Sequence, residues 1–170
     1  DLMVFDGWSG ELLSREQLAD GVVKHIAWSA KDDFIYIAEQ SPKAYVRALT
    51  PSLEEIWNME LSKYVEDSFL PDKTDIYGFY TLPAAYGLLV LDDESILVVA
   101  AHAWNKEGIF TNRSQIILLS PKGAVLRKYP QAPADTIFKH PVLNREQNLV
   151  LFSSMCSACE TGAEPKNGPK

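Results

Sequence analysis

The sequence predicts an all-β fold made of antiparallel four-stranded blades, the arrangement found in a β-propeller. Three observations carry this prediction: short apolar runs separated by polar turns, a recurring unit of two hairpins, and little helical periodicity. The segment 53–65 has apolar residues near helical spacing, so an amphipathic helix is the alternative there. Its alignment with the strand predicted after Gly123 argues against that helix. We therefore expect strands along nearly the whole chain.

The first hairpin of the unit is a strand, a polar tight turn and a second strand. Its copies lie at 29–38, 91–100 and 144–152. The turns of the first two copies contain Asp32-Asp33 and Asp92-Asp93-Glu94. Carboxylate clusters can bind calcium, but aspartate is also favoured in turns because it hydrogen-bonds the local backbone. Their equivalent positions in the repeat favour the turn explanation.

The second hairpin of the unit turns at Asp-Gly or at Thr/Ser-Pro, which are common turn sequences. Its copies lie at 2–14, 45–57 and 116–127. In the alignment of these copies Gly10, Leu53 and Gly123 correspond, and the first two are 43 residues apart. That spacing is close to the roughly 40–45 residues of a four-stranded propeller blade. The spacing from Leu53 to Gly123 is longer because of insertions at 63–81 and 103–114. We expect these insertions on a rim of the propeller.

This repeat predicts a propeller segment at 1–155 and a flexible tail, rich in Gly, Pro and Lys, at 156–170. Within the segment, a partial blade and two blades precede a second partial blade, at 1–20, 21–67, 75–132 and 135–155. About three blades cannot close a ring, because propellers have roughly four to eight. An open ring leaves strand edges that invite pairing. We therefore expect the remaining propeller blades, in the same chain or in another, to complete it.

Charge and hydropathy exclude two classes of partner. The formal net charge is −7, whereas non-specific nucleic-acid binding needs a basic field. No apolar run approaches the roughly 18 residues of a transmembrane helix, because Asp92 and Asp93 interrupt the best candidate, 88–101. The sequence thus predicts an acidic, soluble protein with no nucleic-acid partner and no transmembrane segment.

The segment 2–13 resembles a repeat of the pyrroloquinoline-quinone-like (PQQ-like) propellers, which reads apolar-x-apolar-Asp-x-x-small-Gly-x-x-x-Trp. The matching residues are Phe5, Asp6, Ser9 and Gly10. Ser14 stands in place of the Trp in this copy, whereas Trp57 is present in the second copy. The third copy has Gly123 but Arg127 at the Trp position. WD-repeat, arylsulfotransferase-like and lactonase-like propellers have a similar order of strands and turns.

The resemblance implies one of two functions. Some PQQ-like propellers bind a quinone and oxidise alcohols, and others are cofactor-free scaffolds for protein assembly. The degenerate repeats of this chain are more similar to the second kind. We expect a non-catalytic binding or scaffold module that has no cofactor and binds a protein partner. The alternative is a propeller enzyme, a quinoprotein-type oxidoreductase or an arylsulfotransferase- or lactonase-like protein, with its site in the central channel.

Six residues are the candidates for binding. Two tryptophans are predicted in turns or loops, where exposure favours an interface; two histidines lie at strand ends that can face the channel; and two tyrosines belong to the aromatic insertion. They are Trp8, Trp104, His102, His140, Tyr77 and Tyr80. Aromatic residues also dominate packing between blades, so a structural function is the competing explanation for each of them.

Cys156 and Cys159 form a Cys-x-x-Cys pattern close to the end of the sequence. Haem attachment needs a following His, and Glu160 stands there instead. A zinc site needs two further soft ligands, and no other cysteine is present. Three alternatives stay open: plain or disulfide-linked loop cysteines, a metal site shared with other sequence, and a redox pair. The sequence therefore predicts no metal centre, with these two cysteines as the weak candidates.

Overall fold

The computed structural model describes residues 1–17, 21–29, 31–65, 82–106, 109–146 and 148–155. The predicted tail at 156–170 and most of the insertion at 63–81 lie outside the described residues. The described part contains twelve strands, which are β1 Leu2–Phe5, β2 Leu12–Glu16, β3 Val22–Ser29, β4 Phe34–Gln40, β5 Tyr45–Leu49, β6 Glu55–Glu60, β7 Ala84–Val90, β8 Ile96–Lys106, β9 Ile109–Leu119, β10 Val125–Ala134, β11 Ile137–Asn144 and β12 Leu149–Met155. Within it, no helix has the length and apolar character needed to cross a bilayer.

The strands are antiparallel and form two four-stranded meanders flanked by two hairpins. Strands β3 to β6 make the first meander, strands β7 to β10 the second, and β1–β2 and β11–β12 the hairpins. The two meanders meet where Gln40 of β4 pairs with Ala84 of β7. The predicted fold class, all-β with antiparallel four-stranded blades in an incomplete propeller, is confirmed. The alternative helix at 53–65 does not form: strand β6 and a short 3-10 helix, Ser62–Tyr64, occupy it.

The core lies between successive blades and not within them, as strand β4 shows. Side chains of a strand alternate between the two faces of its sheet. Tyr36 and Ala38 belong to the apolar cluster that β4 shares with the second meander. Ile35 and Ile37 belong to a different cluster, which includes Leu2 of the first hairpin. Both faces of β4 are thus buried, which is why its sequence is an apolar run without alternation.

Strand β8 repeats this arrangement in the second meander. Val98 and Ala100 pack towards the first meander, and Leu97 and Val99 pack towards the last hairpin in a third cluster that includes Phe138. Each neighbouring pair of units therefore has its own apolar interface. The four units stack face to face, in the order in which they occur along the chain.

The insertion at 103–114 is not a separate loop. Strands β8 and β9 each have eleven residues and stay paired through Ala103 with Asn112 and Trp104 with Thr111. The insertion therefore lengthens a hairpin beyond the ordinary blade, and it does so in regular antiparallel pairing.

The turns of the second hairpins share one backbone feature. Gly10, Leu53 and Gly123 have positive φ angles of 73°, 69° and 80°. At Gly123 the absence of a side chain also matters for packing, because a Cβ there would lie 2.9 Å from the Trp57 ring of the preceding unit. The Trp57 indole Nε1 donates a hydrogen bond of 2.9 Å to the Pro121 carbonyl in the same turn. The turn of one blade is thus seated on the outer strand of the blade before it.

We expect Gly123→Ala to destabilise the protein more than Gly10→Ala. Both glycines have the left-handed backbone, which costs a residue with a Cβ about 1–2 kcal/mol. Only Gly123 has the Trp57 ring in the way, and nothing lies within 4 Å of a Cβ at Gly10. Overpacking adds about 1–3 kcal/mol. Urea unfolding of the two variants measures the difference, and equal losses of stability would show that the contact between Trp57 and Gly123 does not hold the blades together.

Candidate functional site

Trp8 lies at the tip of the turn between β1 and β2, and its side chain is fully exposed (101%). The Asp6 carboxylate organises the turn: its Oδ1 accepts hydrogen bonds from the backbone N–H groups of Trp8 (3.0 Å) and Ser9 (2.7 Å) and from the Ser9 hydroxyl (2.9 Å). The backbone N–H groups of Asp6 and Gly10 donate to the Glu11 and Asp6 carbonyls, respectively. An exposed aromatic ring is therefore presented on an ordered support.

Asp6 is held in its charged form by this turn. The backbone N–H of Ser9, then the Ser9 hydroxyl and then the backbone N–H of Trp8 hydrogen-bond its carboxylate and lower the pKa of Asp6 below its ordinary value. These donors favour the ionised carboxylate because it is the better acceptor.

The order of the Trp8 turn is expected to depend on pH. The pKa of Asp6 is lower in the folded protein than its ordinary value of 3.8. The ionised carboxylate therefore stabilises the folded turn above pH 3.8, and this stabilisation is lost as the pH falls through the lower folded pKa. Backbone amide chemical shifts of Trp8 and Ser9, followed by NMR, should move together in that acidic range. Asp6→Asn should remove this titration. An unchanged titration in that variant would mean that another group orders the turn.

His102 and Trp104 lie side by side within strand β8. Their ring centroids are 4.5 Å apart at an interplanar angle of 41°. His102 is completely buried and Trp104 is 8% exposed. Trp104 was expected in an exposed loop, but the extended pairing of β8 with β9 places it in a strand. Both rings are therefore buried in the described structure, and their predicted binding function stays a prediction.

His140, by contrast, lies on the exposed side of β11. Its Nδ1 is 3.2 Å from the Ser153 hydroxyl of β12, and its backbone has a positive φ of 48°. A left-handed residue other than Gly costs free energy and occurs preferentially at functional sites. The remaining predicted site residues, Tyr77, Tyr80, Cys156 and Cys159, lie outside the described residues.

The first strands of the consecutive units lie beside one another, with β7 between β3 and β11. We call β3, β7 and β11 the inner strands. Gly87 of β7 allows the closest approach, because a Cβ there would lie 2.2 Å from the Pro141 ring of β11. The backbone of Ala85 in β7 is close enough to His25 of β3 to raise the pKa of its imidazole. The inner strands of three units therefore lie next to one another.

The electrostatics of His25 show which groups surround it. Burial is the main cause that lowers the pKa of His25, and the positive charges of His140 and Lys24 lower it further. The backbone of Ala85 acts in the opposite direction and raises the pKa of His25. On the neighbouring strands, the Lys139 ammonium lies 5.4 Å from the centroid of the Tyr86 ring. His140 and Lys24 thus lie within electrostatic range of His25, whereas His102 is buried within β8.

Lys24 and Lys139 were not singled out from the sequence. A signal for them exists in the sequence. Gly87 follows Tyr86, and Pro141 follows His140, inside segments that were predicted to be strands. Gly or Pro within a strand often marks a bulge, and bulges redirect side chains next to functional sites.

Large apolar side chains are exposed on the outward faces of the two hairpins. On the first hairpin Met3 is 49% and Phe5 53% exposed, and on the last Leu149 is 51% and Leu151 64% exposed. Their sequence neighbours point inward and pack on the meanders. Two apolar faces therefore remain uncovered in the described structure.

A cleft of about 320 Å³ lies beside the turn between β5 and β6; it is lined by Glu16, Arg47, Leu49, Ser52, Leu53, Glu54 and Glu55. The Arg47 guanidinium is already paired with Glu55 at 2.5 Å and with the buried Glu39 at 3.4 Å. The cleft thus has an acidic rim and a neutralised cation. Among the residues that the structure describes, no group of three His, Cys, Asp or Glu side chains is arranged to hold a metal ion.

Comparison with known proteins identifies no relative: no protein-family model, no curated protein and no solved structure matches the chain. The resemblance to PQQ-like repeats stays a prediction.

Proposed function

We propose that this protein is a non-catalytic β-propeller binding module that holds a protein partner. The exposed Trp8 ring on its hydrogen-bonded turn is the observation that supports this function. Tryptophan is enriched among the residues that dominate interface energetics. A side chain on an ordered turn also loses less conformational entropy on binding. Trp8 is therefore the anchor of the proposed interface.

The exposed apolar faces of the two hairpins support a second kind of contact, with the remaining propeller blades. Blades in this chain pack face to face through apolar clusters. Met3 and Phe5 on one hairpin, and Leu149 and Leu151 on the other, have the same character but no neighbouring blade in the described structure. Further blades, from the same chain or another, would cover these faces. The Trp8 turn lies at the end of its hairpin and would stay available to a protein partner.

Trp8→Ala is the direct test of the proposed interface. Truncation of a central aromatic anchor costs about 2 kcal/mol or more, so we expect a loss of affinity of roughly 30-fold. Proteins captured from an extract of the source cells on the immobilised chain, compared with capture on Trp8→Ala by quantitative mass spectrometry, identify the partner. Biolayer interferometry with the purified partner then measures the affinity.

Two further variants distinguish the contribution of the Trp8 ring to binding from that of the ordered turn that carries it. Trp8→Tyr keeps an aromatic anchor and should retain most of the affinity. Asp6→Ala keeps Trp8 but removes the hydrogen bonds that order the turn, so an intermediate loss is expected. If every captured protein binds wild type and Trp8→Ala equally well, the proposed interface is wrong.

The outward face of β12 is tested by a pair of adjacent substitutions. Leu151 is 64% exposed, whereas Phe152 packs on Phe138 with ring centroids 6.1 Å apart. We expect Leu151→Ser to leave the urea midpoint unchanged and to reduce association of the chain with itself, because an apolar face is weakened. Phe152→Ser should destabilise the protein by about 2 kcal/mol or more. Sedimentation and urea unfolding measure both effects, and equal destabilisation would contradict the uncovered face.

A further inference from the structure

The first hairpin lies over the outer part of the first meander. Leu2 of β1 packs in one apolar cluster with Ile37 of β4 and Leu49 of β5. Glu16 of β2 lines the cleft beside the turn between β5 and β6. The hairpin β1–β2 therefore lies where the two outer strands of a blade would lie.

The inner part of the same face is uncovered in the described structure. Ile26 of β3 is paired with Ile37 of β4, so both lie on this face. Trp28 is paired in the same way with Ile35. Ile35 and Ile37 are buried, whereas Ile26 and Trp28 are both more than half exposed. An apolar stripe of β3 therefore faces the place where the two inner strands of the same blade would lie.

The last hairpin lies over the inner part of the second meander. Phe138 of β11 packs in one cluster with Leu97 of β8, and Tyr86 of β7 packs against it. Ile116 of β9 belongs to this cluster too, and Tyr129 of the outer strand β10 is paired with it. Ile116 is nearly buried, but Tyr129 is half exposed. The hairpin β11–β12 therefore lies where the two inner strands of a blade would lie, and Tyr129 faces the place of the two outer strands.

The two hairpins are complementary halves of one blade. In both meanders the second strand pairs with the third, β4 with β5 and β8 with β9. By position, β12 is a second strand and β1 is a third strand, and among the described residues each is paired only within its own hairpin. The four units stack in the order of the chain, so the two hairpins of one copy lie at opposite ends of the stack. The half-blade that each hairpin lacks is therefore the half-blade that another copy presents.

We propose that a second copy of this chain covers the two hairpins, with β12 of each copy paired to β1 of the other. Each of the two junctions is then one complete four-stranded blade. Because one copy has twelve described strands, two copies form a ring of six blades, within the range of roughly four to eight blades of propellers. The proposal rests on the uncovered hairpin faces of the proposed function and names their partner, and it does not depend on the Trp8 interface.

In this arrangement the exposed apolar stripes of the two copies meet in pairs. The outward face of β12, with Leu151, lies against Ile26 and Trp28 of the other copy. The outward face of β1, with Phe5, lies against Tyr129 of the other copy. All five side chains are at least half exposed in the single chain. Their burial favours association, and the pairing of β12 with β1 satisfies the two free strand edges.

Sedimentation equilibrium of the purified chain tests the assembly. We expect a mass of twice 19.0 kDa, and in hydrogen exchange the backbone amides of β1 and β12 should become protected as the dimer forms. A monomer mass at every concentration would overturn the proposal and leave blades of other sequence as the cover of these faces. No partner protein is present in this measurement, so its failure leaves the Trp8 interface standing, and failure to capture a partner leaves the dimer standing.

A pair of charge substitutions tests which faces meet. Trp28→Lys and Leu151→Glu each place a charge against an apolar stripe, so each variant alone should lose dimer affinity by at least about tenfold. A dimer with one copy of each variant has Lys opposite Glu at one junction and the wild-type contact at the other. An equal mixture should therefore recover a dimer that contains both chains, as native mass spectrometry shows. Absence of recovery in the mixture contradicts the pairing of these two faces.

Ile56→Lys is the matched control. Ile56 is also an exposed apolar residue, but it lies on β6, at the opposite edge of the first meander from β3. This variant should keep the dimer mass, and an equal loss of affinity would overturn the assignment of the interface. Urea unfolding of each variant shows whether a loss of the dimer reflects a loss of the fold.

Discussion

Burial of strands β4 and β8 on both faces is the constraint on which the rest of this structure depends. Each strand is the second of its meander and takes part in two apolar interfaces at once. In β4, Tyr36 and Ala38 serve one interface while Ile35 and Ile37 serve the other. This is possible because successive side chains of a strand point to opposite faces of its sheet. The stability of each unit therefore comes from its neighbours, as in other repeat architectures.

The interfaces between successive units differ in their residues at aligned positions. Trp57 on one outer strand meets Gly123 in the turn of the following unit, where no side chain would fit. At the aligned positions one unit earlier, the outer strand has the small Ser14 and the following turn has Leu53. Leu53 is buried with Leu2 and accepts a left-handed φ of 69°. The two pairs of aligned positions thus combine residue sizes differently, with Trp57 and Gly123 in one pair and Ser14 and Leu53 in the other.

The fold was accessible from the sequence because its signals are local. Apolar runs of strand length and polar turns predict the hairpins, and the recurrence of the unit predicts their order. The exposure of Trp8 followed in the same way, because the turn between β1 and β2 is read directly from Asp6 to Gly10. These features depend on residues that are close along the chain.

Other features depend on pairing between distant segments and were missed for that reason. Trp104 was expected in a loop, since nothing local shows that residues after Ala101 continue to pair with β9 as far as Trp104 with Thr111. The bulges of the inner strands, where the pairing register shifts, are a matter of register between two strands, and register is not a property of either strand alone. Gly87 and Pro141, which weaken a regular strand, are the only signals of these bulges in the sequence. The sequence thus singles out His140 but does not show that it lies within a register shift of β11.

The inner strands and the hairpin turns differ in how closely their neighbours approach them. The turns of the hairpins contact at most the adjacent blade, so their sequences can vary. Trp8 lies in such a turn. The inner strands are crowded, and the approach of β7 to β11 leaves no room for a Cβ at Gly87. Each of β3, β7 and β11 nevertheless has a register shift against the next strand of its own unit. The close approach of the inner strands is therefore compatible with a local irregularity in each of them, because they do not hydrogen-bond with one another along their length.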